Sequence, residues 1–300
     1  MMKLSPVSRL FSVLFLTVLF FATIAVVALA DIIPQKAAAQ TGVTVLSNGK
    51  AAVDASNIKE GYVSVKYTGG RDVKIKVQIT KQGGVTYTYN LNSAGNTETF
   101  PFSEGDGKYT VSIFENVSGS SYTQAFSTTL DVALRDKFLP FLYPNQYVNY
   151  KTDSPVAAKA TELAQGKKDM EVLNSIYTFV VNNLTYDTEL AATVQSGYLP
   201  DVNKVLASKK GICFDYAALM SAMLRLQNIP CKLVVGYAGT VYHAWINVYL
   251  PEVGWIDKAI YFDGKNWTLM DPTFVSSGKH SQKVMEYVSD GKNYSQKYVY

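Results

Sequence analysis

The sequence predicts two domains behind an N-terminal export segment: an all-β sandwich over residues 41–130, taken here as immunoglobulin-like, and an α+β domain over residues 131–300. Three observations carry this. Residues 41–129 are rich in Val, Thr, Tyr and Gly and alternate apolar with polar side chains, the mark of half-buried strands. Near Val132 the pattern changes, and Val172, Leu173, Ile176, Phe179 and Val180 recur at helical spacing. After Pro230 strand-like runs return, so helices precede antiparallel-looking strands, which is an α+β layout.

The chain opens with Lys3 and Arg9 ahead of an uncharged apolar run from Leu10 to Ala30. A short cationic segment followed by a hydrophobic one is the layout of a signal peptide. Ala28-Leu29-Ala30 offers a cleavage site before Asp31, and Ala37-Ala38-Ala39 offers a second. The run is also about as long as the roughly 20 residues a membrane-spanning helix needs, so a retained anchor is the alternative. Residues 1–30 are therefore set apart as signal peptide or N-terminal anchor, and both readings put the rest outside the cytoplasm, secreted or at the cell surface.

Composition narrows the function. Without residues 1–30 the chain keeps 26 basic against 24 acidic residues, a balance that offers nucleic acid no concentrated positive face. Two cysteines in 300 residues cannot build the disulfide framework of a small secreted module, so packing must carry stability. One histidine near one cysteine with scattered acids lacks the spacing of a zinc site, and no phosphate-cradling loop or nucleotide motif is present, so no metal and no cofactor is expected.

In chain order, Val63–Tyr67, Val73–Ile79, Val85–Tyr89 and Tyr109–Ile113 read as strands, separated by Gly69-Gly70, Gly83-Gly84 and Gly105-Asp106-Gly107. Glycine pairs at such joints supply the positive φ that tight turns require. Phe138–Pro144 is a proline-punctuated apolar connector, expected to pack in a seam. Helices are predicted from Pro155 to Leu163, from Met170 to Asn183 and from Tyr216 to Leu226. Lys232–Val235, Ala244–Leu250 and Lys265–Met270 read as strands. The many tyrosines of the first half suit strand-face packing and would also suit a binding surface.

Cys213, in Gly211-Ile212-Cys213-Phe214-Asp215-Tyr216, sits just before a helix, where the free amides of the first turn point toward its sulfur and favour the thiolate. A plain buried thiol at a helix start is the simpler reading of that stretch alone. His243 changes the balance, because it opens an apolar strand after a glycine-flanked loop and a base held on a strand edge is rigidly placed. Asp271, at the end of the next predicted strand, is placed to orient an imidazole. Asp215 falls in the first helical turn, where a capping role suffices.

With those residues in view, GICFDYAALMSAMLRLQNIPCKLVVGY, HAWINVY and WTLMDPTF resemble the three blocks of the transglutaminase-like family of the papain-like cysteine enzyme superfamily. The resemblance covers roughly Met170 to Phe274, a little over a third of the chain. It implies a papain-like α+β fold with Cys213 as nucleophile, His243 as base and then acid, and Asp271 as its orienting partner. Trp245 and Trp267 match the family's aromatic positions beside histidine and aspartate, and with Tyr186 they are the candidates for the oxyanion or substrate groove. Tyr186 is the candidate to join the Cys213 amide at the oxyanion, with capping of the preceding helix as its competing role. One departure is the segment Pro251–Asp263, in which Asp257 follows Trp255 and imitates the Trp-to-Asp block; Asp271 is preferred because Pro272-Thr273 follows it.

The resemblance implies attack on an amide carbonyl of a protein or peptide, cell-wall associated in one version, to give a thioester resolved by water or by an amine. The rival is a non-catalytic adhesion or binding protein, favoured if Cys213 were tied to Cys231 in a disulfide. Against that bond, Cys231 introduces an apolar strand where a small buried side chain needs no partner.

Overall fold

The period-two alternation of the first half becomes two four-stranded antiparallel sheets. The computed structural model describes residues 35–257, 260–262, 267–269, 273 and 294–300; the predicted export segment lies outside them. One sheet has the order β1 (Val45–Ser47), β2 (Ala51–Asp54), β3 (Tyr62–Tyr67), β6 (Glu98–Pro101), and the other β5 (Thr86–Leu91), β4 (Ile75–Lys81), β7 (Gly107–Ser118), β8 (Ser121–Val132). In β4 the alternation is direct: Ile75, Val77 and Ile79 are buried, while Lys76, Gln78 and Thr80 are partly exposed. Val63, Val65 and Tyr67 of β3 and Tyr87, Tyr89 and Leu91 of β5 join the same core. Tyr89 meets Phe100 of the other sheet at 4.7 Å between ring centroids.

The glycine joints fall where the pattern placed them. Gly83, at φ 77°, sits in the β4–β5 turn. The Tyr109 hydroxyl donates back to the Gly105 carbonyl at 2.7 Å, which pins the turn before β7. The sheets are also tied by a buried carboxylate: Glu115 on β7 accepts from Lys50 at 2.6 Å and from Tyr67 at 2.5 Å.

The connector is packed as its composition predicts. Leu139–Phe141 form a single buried 3-10 turn. The Phe138 ring meets that of Tyr249 at 4.2 Å between centroids, tilted by 39°, and the Lys232 ammonium lies 3.8 Å from the Trp255 ring centroid and 5.0 Å from that of Phe141, a cation–π enclosure. Glu60 accepts both a two-pronged ion pair from Arg135 and the Tyr143 hydroxyl, fixing the connector to the first sheet.

Three predicted helices are present. In α1 (Pro155–Ala164) the Ser154 hydroxyl caps the first turn and Pro155 fills the first helical position, where a missing N–H costs nothing. Helix α2 (Asp169–Asn183) buries Val172, Leu173, Ile176 and Val180 as predicted, with Tyr177 in place of the half-buried Phe179. Short helices α3 (Thr188–Thr193) and α4 (Val202–Ser208) lead to α5 (Cys213–Leu226). Helix α5 is buried on all sides from Asp215 to Leu226, so its sequence shows a continuous apolar run instead of a narrow stripe.

Helix α5 packs on an antiparallel sheet ordered β13 (Gly254–Ile256), β12 (Val241–Leu250), β11 (Cys231–Ala238), β16 (Tyr294–Val299). A separate hairpin pairs β14 (Ile260–Phe262) with β15 (Trp267–Leu269). Arg225, fully buried, donates to the main-chain oxygens of Tyr143, Cys231 and Tyr300 at 2.8–3.0 Å. It thereby joins the helix, the connector and two strands. Tyr87, Tyr89, Tyr147 and Tyr300 make an aromatic seam with centroid separations of 4.6–5.8 Å. Residues 35–300 form one compact unit, mostly strand with a few helices.

Candidate active site

The short parallel ladder of β9 (Thr185–Tyr186) and β10 (Lys210–Gly211) sets the approach to α5. The Asp187 amide donates to the Gly211 carbonyl at 2.9 Å, which holds Tyr186 beside the chain entering the helix. Ile212 is the extended residue before the first turn, and Cys213 is the first residue of α5. The Asp215 carboxylate accepts the Ile212 amide at 2.9 Å and the Tyr198 hydroxyl at 2.7 Å. Burial pushes the Asp215 carboxyl above its ordinary value, opposed by those two hydrogen bonds. Asp215 is thus the cap its position predicts. A Cβ on Gly211 would lie 2.6 Å from the Asp215 Cβ, so glycine is what lets the carboxylate tuck under the chain. The helix begins three residues earlier than the sequence reading because this internal cap completes its first turn.

His243 lies on β12 opposite Gly236 of β11 and is 5% exposed. Its ring stacks at 22° on Trp245, 6.3 Å away. A Cβ at Gly236 would meet the Ser295 carbonyl at 2.1 Å and the Trp245 ring at 2.9 Å, so a glycine there lets β16 and the indole close beneath the strand.

Cys213, His243 and Tyr186 line one cleft of about 540 Å³, together with Tyr198, Tyr242 and Phe214. Cys213 is partly exposed. Trp245 does not line the cleft; it is buried with Val234, Ala238 and Tyr294 behind the histidine. Trp267 belongs to β15, and Asp271 lies outside the described residues. Asp257 is exposed, away from the cleft lining, and acts electrostatically on Lys232. Both cysteines are free thiols. The Cys231 thiol is wholly buried 3.3 Å from the Ser221 hydroxyl, and burial pushes it up to about 11. Among the described residues no group of three or more His, Cys, Asp or Glu is arranged to hold a metal.

Two wall residues escape the sequence reading. Tyr198 sits in a loop with no motif of its own, and only its bond to Asp215 reveals its place. Tyr242, 57% exposed, pairs with Tyr237 at 5.5 Å; it immediately precedes His243 and was visible on that ground. Burial raises the Tyr198 hydroxyl well above its usual range, and the Asp215 carboxylate adds to this, so it stays a donor at neutral pH.

A thiol at the start of a central helix and an imidazole on the adjoining antiparallel sheet thus share one cleft. Residues 157–272, less than half of the chain, match the family model of the Transglutaminase-like superfamily. The chain is 26% identical over 191 residues to the uncharacterised YebA of Bacillus subtilis, an alignment covering 56% of this chain and 26% of YebA. It is 26% identical over 115 residues to the mouse kyphoscoliosis peptidase, covering 38% of this chain and 17% of that protein. The chain therefore spans about a quarter or less of these two relatives. Among solved structures, the periplasmic domain of TgpA from Pseudomonas aeruginosa aligns at 15% identity, TM-score 0.36, over 84% of this chain and 80% of that one. Red sea bream transglutaminase aligns at 14% identity, TM-score 0.29, over 77% and 54%.

Proposed function

We propose that the protein is an exported, cysteine-dependent enzyme that acts on amide groups of extracellular or envelope polypeptides. The observation that supports this best is the shared cleft of Cys213 and His243, with the thiol at the N-terminus of α5 and the imidazole on β12. His243 takes the proton of the Cys213 thiol, and the sulfur attacks the amide carbonyl carbon, forming a C–S bond, while the C=O electrons move onto oxygen. The Cys213 amide, at a helix start, is a donor for that oxyanion, and Tyr186 is the second candidate. Collapse breaks the C–N bond, and the imidazolium of His243 gives its proton to the departing nitrogen. Water or a primary amine then attacks the thioester as His243 takes up its proton, and the thiolate leaves. Asp271 is the proposed orienting partner of His243.

Export rests on the cationic and apolar pattern of residues 1–30; among the described residues no helix is long and apolar enough to cross a membrane. The strand order of the first two sheets and the Tyr109 to Gly105 bond favour an immunoglobulin-like sandwich for residues 41–130, with residues 131–300 as the catalytic domain.

The test is incubation with a glutamine-containing polypeptide and a labelled primary amine, following ammonia release, amine incorporation and peptide cleavage. One of these signals is expected, abolished by Cys213→Ala. Activity that survives the substitution sinks the nucleophile assignment, and silence across varied amides favours a binding protein.

A further inference from the structure

One wall of the cleft that holds Cys213 and His243 comes from the β5–β4–β7–β8 sheet: Lys76 of β4 and Thr88 and Asn90 of β5 line it. The period-two alternation explains why it is these three. Ile75, Val77, Tyr89 and Leu91 turn into the core, so Lys76, Thr88 and Asn90 stand on the other face, with Lys76 directly opposite Asn90 across the ladder. The chain from Val194 to Leu199, which also lines the cleft, meets that face. A Cβ on Gly197, at φ 95°, would lie 2.6 Å from Asn90 Nδ2, so glycine is what lets this segment close on the strand.

The charges in the cleft are one-sided. Among the described residues its lining holds no Asp, Glu or Arg, and Lys76 is its single lysine. Lys76 is partly exposed and takes part in none of the ion pairs found among the described residues. Its ammonium donates to Asn90 Oδ1, an uncharged acceptor that is itself part of the wall. That bond holds the charge at the cleft. An ammonium has three N–H groups, so two are left with no protein acceptor among the described residues.

A cation without a counter-charge in a recess favours a ligand that brings an anion, and it repels a cationic ligand that finds no acid to offset the like charge. In a polypeptide the anion is a carboxylate, either the chain terminus or the side chain of Asp or Glu. The cleft volume of about 540 Å³ falls within the roughly 300–1,000 Å³ of small-ligand sites. A reacting amide and a carboxylate of the same peptide fit within it together.

We infer that Lys76 is a specificity-determining residue, which binds a carboxylate of the peptide substrate while the amide is presented to Cys213. This rests on the amide chemistry proposed for that thiol, and it narrows the substrate class to peptides with a negative charge close to the amide processed.

The test uses the full chain carrying Cys213→Ala and fluorescence anisotropy at low ionic strength, with three short glutamine-containing peptides that bear the same uncharged N-terminal dye. The first ends in a carboxamide and has no charge. The second ends in a free carboxylate, and the third ends in a carboxamide but carries one Glu. At least one acidic peptide is expected to bind about tenfold more tightly than the neutral one, a gain of about 1.4 kcal/mol. Which of the two does so tells a chain terminus from a side chain. The gain should shrink as salt is added, because the ammonium is partly exposed. Lys76→Gln removes the charge and should bring the acidic peptides down to the affinity of the neutral one. Asn90→Asp leaves the lysine in place but gives it a carboxylate of its own, and should do the same. Lys76→Arg, which keeps the charge, should retain most of the gain.

The inference is overturned if neither acidic peptide binds more tightly than the neutral one, or if the gain persists in Lys76→Gln. Turnover of the same peptides by the Cys213-containing chain separates it from the proposed reaction. A Lys76-dependent preference in a chain that processes no amide keeps the carboxylate site and removes the reaction. Equal kcat/KM for the three peptides, unaltered by Lys76→Gln, keeps the reaction and removes the carboxylate site.

Discussion

The Tyr198 hydroxyl donates to Asp215 at 2.7 Å, and the other carboxylate oxygen of Asp215 holds the Ile212 amide at 2.9 Å. One buried acid thus couples a wall of the cleft to the residue before Cys213. Tyr198→Phe removes a hydrogen bond to a carboxylate that is 1% exposed, which is expected to cost about 1–3 kcal/mol of stability. Because the wall and the helix start loosen together, turnover of a short amide substrate should fall as well. Urea unfolding and kcat/KM measured on the same preparation check this; an unchanged unfolding midpoint would show that the bond carries no weight.

Gly211 is the other half of that arrangement. Its backbone does not need positive φ, so the effect of Gly211→Ala isolates contact alone. With a Cβ 2.6 Å from the Asp215 Cβ, the carboxylate must shift off the Ile212 amide or the chain must move. A loss of about 1–3 kcal/mol is expected from such overpacking. Gly49, beside which nothing lies within 4 Å, is the control position: Gly49→Ala should be near neutral in the same thermal melt.

Much of this was legible before any coordinates. The period-two runs named the buried side of β4, because one face of a strand meets the core and the other meets water. The Met170–Asn183 stripe named most of the buried face of α2 for the same reason at helical period. Cys213, His243 and Tyr186 were chosen from separate stretches, and all three line one cleft. The start of α5 was not legible, since its cap comes from inside the helix and needs Tyr198, a residue 17 positions away, to complete it. Long-range pairing of this kind leaves no local pattern. Trp245 was misjudged as groove because an aromatic beside a histidine looks the same in sequence whether it faces a ligand or props the ring from behind. Strands β1, β2, β6 and β8 carry weaker alternation and emerge only through their partners.

Arg225 gives the third prediction. It is fully buried and bonds the main-chain oxygens of Tyr143, Cys231 and Tyr300, and burial draws its guanidinium below the ordinary value. Arg225→Met keeps much of the apolar stem but strands those oxygens, so the loss should reach about 3 kcal/mol or more. Arg225→Lys should recover only part of it, because one ammonium cannot reproduce the planar fork. Chemical denaturation of the three proteins side by side is the measurement, and a lysine variant as stable as the parent would remove the fork argument.

Glu115 makes the two N-terminal sheets sensitive to acid. Burial alone would raise its carboxyl, but hydrogen bonds from Lys50 and Tyr67, with Arg71 nearby, outweigh it and hold the group below its ordinary 4.5. A carboxyl depressed in the folded state contributes stability that is present above its unfolded value and lost as pH falls through the folded one. Unfolding free energy of the parent should therefore decline below about pH 4.5 more steeply than that of Glu115→Gln, which is less stable at pH 7. Equal slopes for the two proteins between pH 5 and pH 3 would exclude Glu115 as the titrating group.

The two cysteines should separate cleanly by reactivity. Cys213 is partly exposed at the helix start in an open cleft, whereas Cys231 is wholly buried, engaged with Ser221 and pushed up to about 11. Only the thiolate alkylates, so at pH 8 Cys231 is protected twice over, by exclusion of reagent and by protonation. Iodoacetamide on the folded protein should add one label, at Cys213, and urea should expose the second. The rate at Cys213 should fall when His243→Ala removes the imidazole from the cleft, while Cys231 stays unlabelled in both folded proteins. Mass spectrometry of the labelled peptides reads this directly. A folded protein that labels first at Cys231, or that takes no label before reduction, would overturn the assignment of Cys213 as a free nucleophile.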